Sequence, residues 1–73
     1  VDLADKIENS FIALQDGGIY RYIIEDTERL LIEKALQKTR GNQILAARIL
    51  GLNRNTIRTK IKKLKIDLRK FKE

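Results

Sequence analysis

The stretch Gly41-Asn42-Gln43-Ile44-Leu45-Ala46-Ala47-Arg48-Ile49-Leu50-Gly51-Leu52-Asn53-Arg54-Asn55-Thr56-Ile57-Arg58-Thr59-Lys60-Ile61 punctuates itself twice. Gly41 fits the C′ position past a helix and Asn42 an N-cap, so one helix is predicted to stop there and another to start. Ile44, Ala47 and Leu50 recur on one face of that second helix. Gly51 then supplies a residue that tolerates positive φ, which ends the helix cheaply. Asn53 is a second N-cap, and Ile57, Ile61 and Leu64 follow it at i, i+4 and i+7. Two short helices joined by about four residues make a helix-turn-helix, with Ala47 as the small residue where backbones approach. Arg54, Asn55, Arg58 and Lys62 leave the outer face of the last helix basic and rich in amides. That chemistry suits the base edges of a DNA major groove.

Helical hairpins with one glycine turn are common packing units, and Ile44, Ala47, Leu50, Ile57, Ile61 and Leu64 are read as core. The sharper reading rests on the Ala47, Gly51 and Ile57 spacing, the cap at Asn53, and the charge of the outer face together.

The chain has 73 residues, enough for one small domain. Without cysteine it has no disulfides and no thiolate metal site, and without histidine it lacks the residue most used for zinc and acid–base roles. No segment reads as a membrane span or signal peptide, and the start at Val1 suggests a piece of something larger. No cofactor is expected. Net charge is +6, unevenly spread. Residues 1–36 hold four basic and eight acidic side chains, a balance of −4, whereas residues 37–73 hold twelve and two, a balance of +10. The second half is suited to a polyanion.

Upstream, Leu3, Ile7, Phe11 and Leu14 mark a helix over residues 2–14, with Asp2, Asp5 and Glu8 where the helix dipole favours acids. Gln15-Asp16-Gly17-Gly18 breaks it, and a longer helix is predicted from about Ile19 to Thr39, unless Asp26-Thr27 caps a shorter one. Its apolar stripe (Ile23, Ile24, Thr27, Leu30, Leu31, Ile32, Ala35, Leu36) is wider than one hairpin needs. A compact monomer using all of it is one explanation. The favoured one pairs the first two helices with a second copy in a four-helix bundle, through Leu3, Ile7, Phe11, Leu14, Ile23, Ile24 and Leu31. Tyr20 and Tyr22 are expected to pack or cap an interface. The basic tail after Leu64 offers Ile66, Leu68 and Phe71 for docking, and either order or disorder is compatible with it.

For DNA, Asn53, Arg54, Asn55 and Arg58 are the base-edge candidates, although Asn53 has a cap to make and the arginines suit phosphates equally. Thr56, Thr59, Lys60, Lys62 and Lys63 suit the flanking phosphates. Asn42 and Gln43 stand where backbone N–H groups of a helix start can hold another. Arg48 reads as an uncommitted surface residue.

Thr39-Arg40-Gly41-Asn42-Gln43, Ala46-Ala47, Gly51 through Arg58 and Lys60-Ile61-Lys62 together resemble the Fis-type helix-turn-helix, which also ends the nitrogen-regulator class of enhancer-binding activators. Residues 28–66 carry the likeness; residues 1–27 match in pattern only. The resemblance implies a homodimer with a four-helix bundle, two recognition helices in adjacent major grooves, bent DNA, and DNA contacts from Asn53, Arg54, Thr56 and Arg58. Two departures stand out. The nucleoid member has an N-terminal β-hairpin arm and ends soon after its recognition helix, whereas here no arm is seen and residues 65–73 follow. It also has lysine where Thr59 stands, so that particular phosphate contact does not carry over directly. Both departures favour an activator's C-terminal domain, whose parent would carry an AAA+ ATPase and could carry a two-component receiver.

The expectation is therefore an all-α chain of four helices: 1–40 for dimerisation, 41–66 the helix-turn-helix, 67–73 a basic tail. Its expected role is sequence-specific binding of double-stranded DNA as a homodimer, tethering a sigma-54 RNA polymerase activator at an enhancer in the bacterial cytoplasm, at the nucleoid. An architectural DNA-bending protein is the alternative. A membrane-surface module (Arg54 to Lys72) lacks tryptophan, and a pure dimerisation adaptor leaves the basic half unexplained. Nothing in the chain reads as an enzyme.

Overall fold

The computed structural model describes residues 2–14 and 17–72; Val1, Glu73, and Gln15 and Asp16 of the expected break lie outside the described residues. Among the described residues four α-helices run in order, α1 (Leu3–Ala13), α2 (Ile19–Lys38), α3 (Gln43–Leu50) and α4 (Arg54–Lys63), and a 3-10 turn (Leu68–Phe71) follows. Asp2 caps α1 through its carboxylate, which accepts from the N–H groups of Ala4 and Asp5. Asp26 and Thr27 lie inside α2 and start nothing; Asp26 instead forms an ion pair with Lys6 of α1.

The core gathers the C-terminal half of α2 (Ile32, Ala35, Leu36) with Ala46 and Ala47 of α3, then Ile57 and Ile61 of α4, Leu64 and Ile66. Ile32, Leu36 and Ile57 are the largest of its fully buried side chains. The adjacent alanines let α3 approach both neighbours closely. Here the structure corrects part of the sequence reading: Ala47 is buried and Leu50 packs half-buried against the core as expected, but Ala46 is buried as well and Ile44 is 53% exposed. A wide stripe on an eight-residue helix fits two faces equally well, and the requirement for small residues against α2 and α4 selects the alanine side.

The turns follow one pattern. After α2 the Gly41 N–H donates to the Leu36 carbonyl (2.8 Å) and the Arg40 N–H to that of Gln37 (3.5 Å), a Schellman pair. Its C′ residue is Arg40 at φ +55, one position earlier than expected, and Gly41 at φ +83 extends the left-handed run. After α3 the pair is Leu52 to Ala47 and Gly51 to Arg48, with Gly51 at φ +75. After α4 it is Ile66 to Ile61 and Lys65 to Lys62, with Lys65 at φ +55. At Gly51 a Cβ would meet nothing within 4 Å, so a side chain there acts through backbone conformation alone. Gly51→Ala is expected to lower stability by about 1 kcal/mol, the left-handed penalty of an L-residue. The urea midpoint should fall with an unchanged slope; an unmoved midpoint would show that the turn relaxes to negative φ.

Two polar ties seat α4 on α2. The Arg29 guanidinium donates to the Leu64 carbonyl at the end of α4 (2.5 Å), and Lys60 pairs with Glu28 (2.5 Å). Arg29 satisfies a helix-end acceptor and places a cation at the negative end of the helix dipole. Arg29→Ala should cost about 1.5 kcal/mol, low for a charged hydrogen bond because the site is partly solvated. Arg29→Lys should recover part of that in thermal unfolding. Equal losses in both variants would assign the effect to packing of the arginine plane.

The tail is ordered. Ile66 is buried, Asp67 accepts from the Arg69 N–H to open the 3-10 turn, and Leu68 and Phe71 pack against the core. By contrast, α1 meets α2 away from that core, through Lys6 (paired with Asp26 and over the Tyr22 ring) and the buried Ser10. Leu3, Phe11, Ile12, Tyr20, Tyr22, Ile24, Leu30 and Leu31 remain exposed on α1 and α2.

Candidate nucleic-acid interface

Asn53 begins the candidate surface. Its Oδ1 accepts the Asn55 N–H at 2.7 Å and starts α4, which commits the side-chain oxygen to the cap and leaves the Nδ2 donors for a ligand. From there the helix repeat does the sorting. Ile57, Ile61 and Leu64 point into the core, so Asn55, Arg58, Thr59 and Lys62 share the opposite, exposed face. Thr59 also donates its hydroxyl to the Asn55 carbonyl (2.9 Å).

Two grooves bring most of the candidates together. One, between the start of α3 and α4, is lined by Asn42, Gln43, Ile44, Arg54 and Arg58. The other joins Gln43, Asn55, Arg58, Thr59 and Lys62 to Leu68 of the tail. Gln43 and Arg58 line both, so the two form one surface. Asn42 also caps α3, its Oδ1 accepting the Leu45 N–H at 3.0 Å.

Four candidates line neither groove: Asn53, whose side-chain oxygen caps α4, and three residues farther along the helix. Thr56 and Lys63 are exposed on the far flank of α4, roughly 140–160° around the helix from Arg58. Lys60 is turned toward α2, where Glu28 neutralises it. Only the position of Glu28 on α2 could have revealed that, and it lies 32 residues away in sequence.

The surface also holds residues that the sequence reading did not include. Ile44 stands exposed between Asn42 and Arg54, an apolar side chain among donors. Leu68 walls the second groove. The Asp67–Arg69 pair flanks it, and the Arg69 guanidinium holds the Asp67 carboxyl below the usual carboxylate range. Arg54, Arg58 and Lys62 make the grooves cationic, and their donors fit phosphate oxygens or guanine edges. Among the described residues no group of three or more acidic side chains is placed to hold a metal, and no helix is long and apolar enough to cross a membrane.

Residues 23–64, which span this hairpin and the helix before it, match the family model described as "Bacterial regulatory protein, Fis family". The chain is 47% identical over 66 residues to the DNA-binding transcriptional regulator NtrC of Azospirillum brasilense, covering 85% of this chain and 14% of that protein. It is 50% identical over 56 residues to the protein of the same name from Rhizobium meliloti (strain 1021), covering 77% of this chain and 12% of the relative. The corresponding figures for Bradyrhizobium sp. (strain RP501 Parasponia) are 53% over 51 residues, 70% and 11%. The chain thus spans about a seventh or less of the length of these curated relatives. No solved structure gives a significant match. The chain belongs to the Fis family of bacterial regulatory proteins and is a Fis-type helix-turn-helix domain akin to that of the NtrC regulators.

Proposed function

We propose that this domain binds double-stranded DNA in a sequence-specific manner as a homodimer, and that it anchors a transcriptional activator of the sigma-54 RNA polymerase class at an enhancer site. The observation that carries the DNA reading is the single cationic surface of Asn42, Gln43, Arg54, Asn55, Arg58, Thr59 and Lys62 around a capped helix start. Asn53, Arg54, Asn55 and Arg58 are assigned to base edges or the phosphates beside them, and Thr59 and Lys62 to the flanking backbone. Thr56 and Lys63 are assigned to a second phosphate track, and Lys60 to the seating of α4. Residues 1–40 serve dimerisation and 41–66 the DNA.

The homodimer is supported by the apolar surface left open on α1 and α2, where Leu3, Phe11, Ile24 and Leu31 are each more than 40% exposed. Ile7 and Leu14 are half-buried beside them, and Ile23 is already buried next to α1. Activator tethering rests on the likeness to NtrC proteins, of which the chain matches only a small part. An AAA+ ATPase in the rest of such a protein, and residence in the cytoplasm at the nucleoid, belong to the same proposal. The domain itself acts by binding and performs no catalysis.

Selection of bound duplexes from a random pool at physiological salt tests the reading. A two-fold symmetric motif with half-sites about one helical turn apart is expected. Enrichment of bent, loosely related sequences would favour an architectural role. No enrichment, with binding that vanishes as salt rises, would leave only electrostatics and sink the base contacts. Within a selected site, Arg54→Ala should cost roughly 1–3 kcal/mol and much less on random DNA; equal losses would make Arg54 a phosphate contact.

A further inference from the structure

The tail beyond α4 is held at several points, and the charged ends of Arg69 and Lys72 stay in solvent. Ile66 is buried, Leu68 and Phe71 pack on the core, and Lys70 pairs with Glu33 of α2 (3.7 Å). Those contacts fix the path of the backbone. Arg69 is left with a side chain 91% exposed, and Lys72 is exposed as well. Neither points to a random place. Lys72 passes over the turn before α3, with its Cγ 3.1 Å from where a Cβ on Gly41 would lie, next to the capping residue Asn42. Arg69 directly follows Leu68, which walls the groove containing Asn55, Arg58, Thr59 and Lys62.

We propose that the C-terminal tail is a second phosphate-binding element, in which Arg69 and Lys72 extend the α4 surface and hold the backbone of the same duplex. The inference rests on the DNA reading of α4 given above. Continuity of the surface favours DNA over an acidic protein. Arg69 adjoins Leu68 on the wall of the groove that holds Arg58 and Lys62, and Lys72 lies over Gly41 beside Asn42, so both stand near the polyanion that groove would engage, and phosphates recur on a duplex at a spacing of a few ångströms. Asp67 orients the Arg69 guanidinium through two hydrogen bonds, at 3.1 and 3.3 Å, and also offsets part of its charge. Lys72 is thus the stronger of the two contacts.

The test is the double variant Arg69→Ala/Lys72→Ala in the 73-residue chain, titrated against a selected duplex and a scrambled one at several salt concentrations. Both side chains are exposed, and their remaining contacts are the Asp67 pair and the Lys72 stem over Gly41, so thermal unfolding should fall by no more than about 5 °C. The log-affinity against log-salt slope should shrink by about two per bound chain on both duplexes. Raising salt from about 50 to 200 mM would then weaken the parent protein more than the variant by roughly tenfold for each bound chain, or about a hundredfold for a dimer on a full site. An unchanged slope overturns the proposal and leaves the tail as a core strap whose cations are open to an acidic protein. Arg58→Ala, measured on the same duplexes, separates the two readings. If it weakens binding while the tail variant is silent, the tail assignment alone fails; if both are silent, the α4 interface fails with it.

Discussion

Ile57→Ala is expected to lower stability by about 4 kcal/mol, toward the upper end of the range for truncating a buried branched side chain. Ile57 is fully buried and shares its cluster with Ala46 and Ala47 of α3 and with Leu36 of α2. The lost carbons leave a cavity faced on the α3 side by methyl groups that cannot reach into it, so the site collapses poorly. A domain of this size has about 4–11 kcal/mol in total. The variant should therefore lose about a third or more of its stability, and ligand-free urea curves should show the midpoint fall in proportion. Ile44→Ala is the control: with 53% of the residue exposed, its loss should stay within about 0.5 kcal/mol. Similar small losses in both would remove Ile57 from the core. The consequence reaches function because Ile57 lies between Arg54 and Arg58 on α4, so whatever unseats it displaces both arginines.

The contrast between Ile57 and Ile44 also shows what the amino-acid sequence could and could not reveal. Helix starts were legible because an asparagine oxygen must find an orphan N–H group, and Asn42 and Asn53 both do so. The inward face of α4 was legible because three apolar residues on a cationic helix leave one way to bury. On α3 the pattern was ambiguous: Ile44, Leu45 and Ile49 are bulkier than Ala46 and Ala47, yet the alanines are the ones buried. Size complementarity with α2 and α4 decided it, and that is a tertiary fact. The same holds for Lys60, whose partner Glu28 is distant in sequence, and for Arg40, which takes the left-handed position that residue type alone assigns to Gly41. The order of the tail depends on Leu68 and Phe71 finding a surface built by α2 and α4. Composition gives no hint of such a surface. The grooves around Gln43 and Arg58 were legible as residue types and illegible as a juxtaposition.

Leu31→Glu carries the other large effect, and it acts between chains. Leu31 is 54% exposed on α2, so the change should leave the helix content and thermal unfolding of a single chain nearly unaltered. In the proposed homodimer the same position is covered by the partner, and two-fold symmetry buries two uncompensated carboxylates at once. An unpaired buried charge costs about 3–5 kcal/mol, so dimerisation should weaken by at least about a hundredfold. Sedimentation equilibrium reads this directly: a parent chain of twice the monomer mass, and a variant at the monomer mass with an unchanged helical spectrum. A variant still dimeric would place Leu31 outside the interface, and a parent chain monomeric at every concentration would remove the dimer from this domain. The effect on DNA follows from linkage. A dimer engages its second half-site at an effective concentration near the millimolar range, so splitting it should cost about 10²–10⁴ in affinity for a full site. Binding to an isolated half-site should be unchanged. That difference distinguishes a broken dimer from a damaged recognition helix, since loss of Arg54 or Arg58 weakens both sites alike.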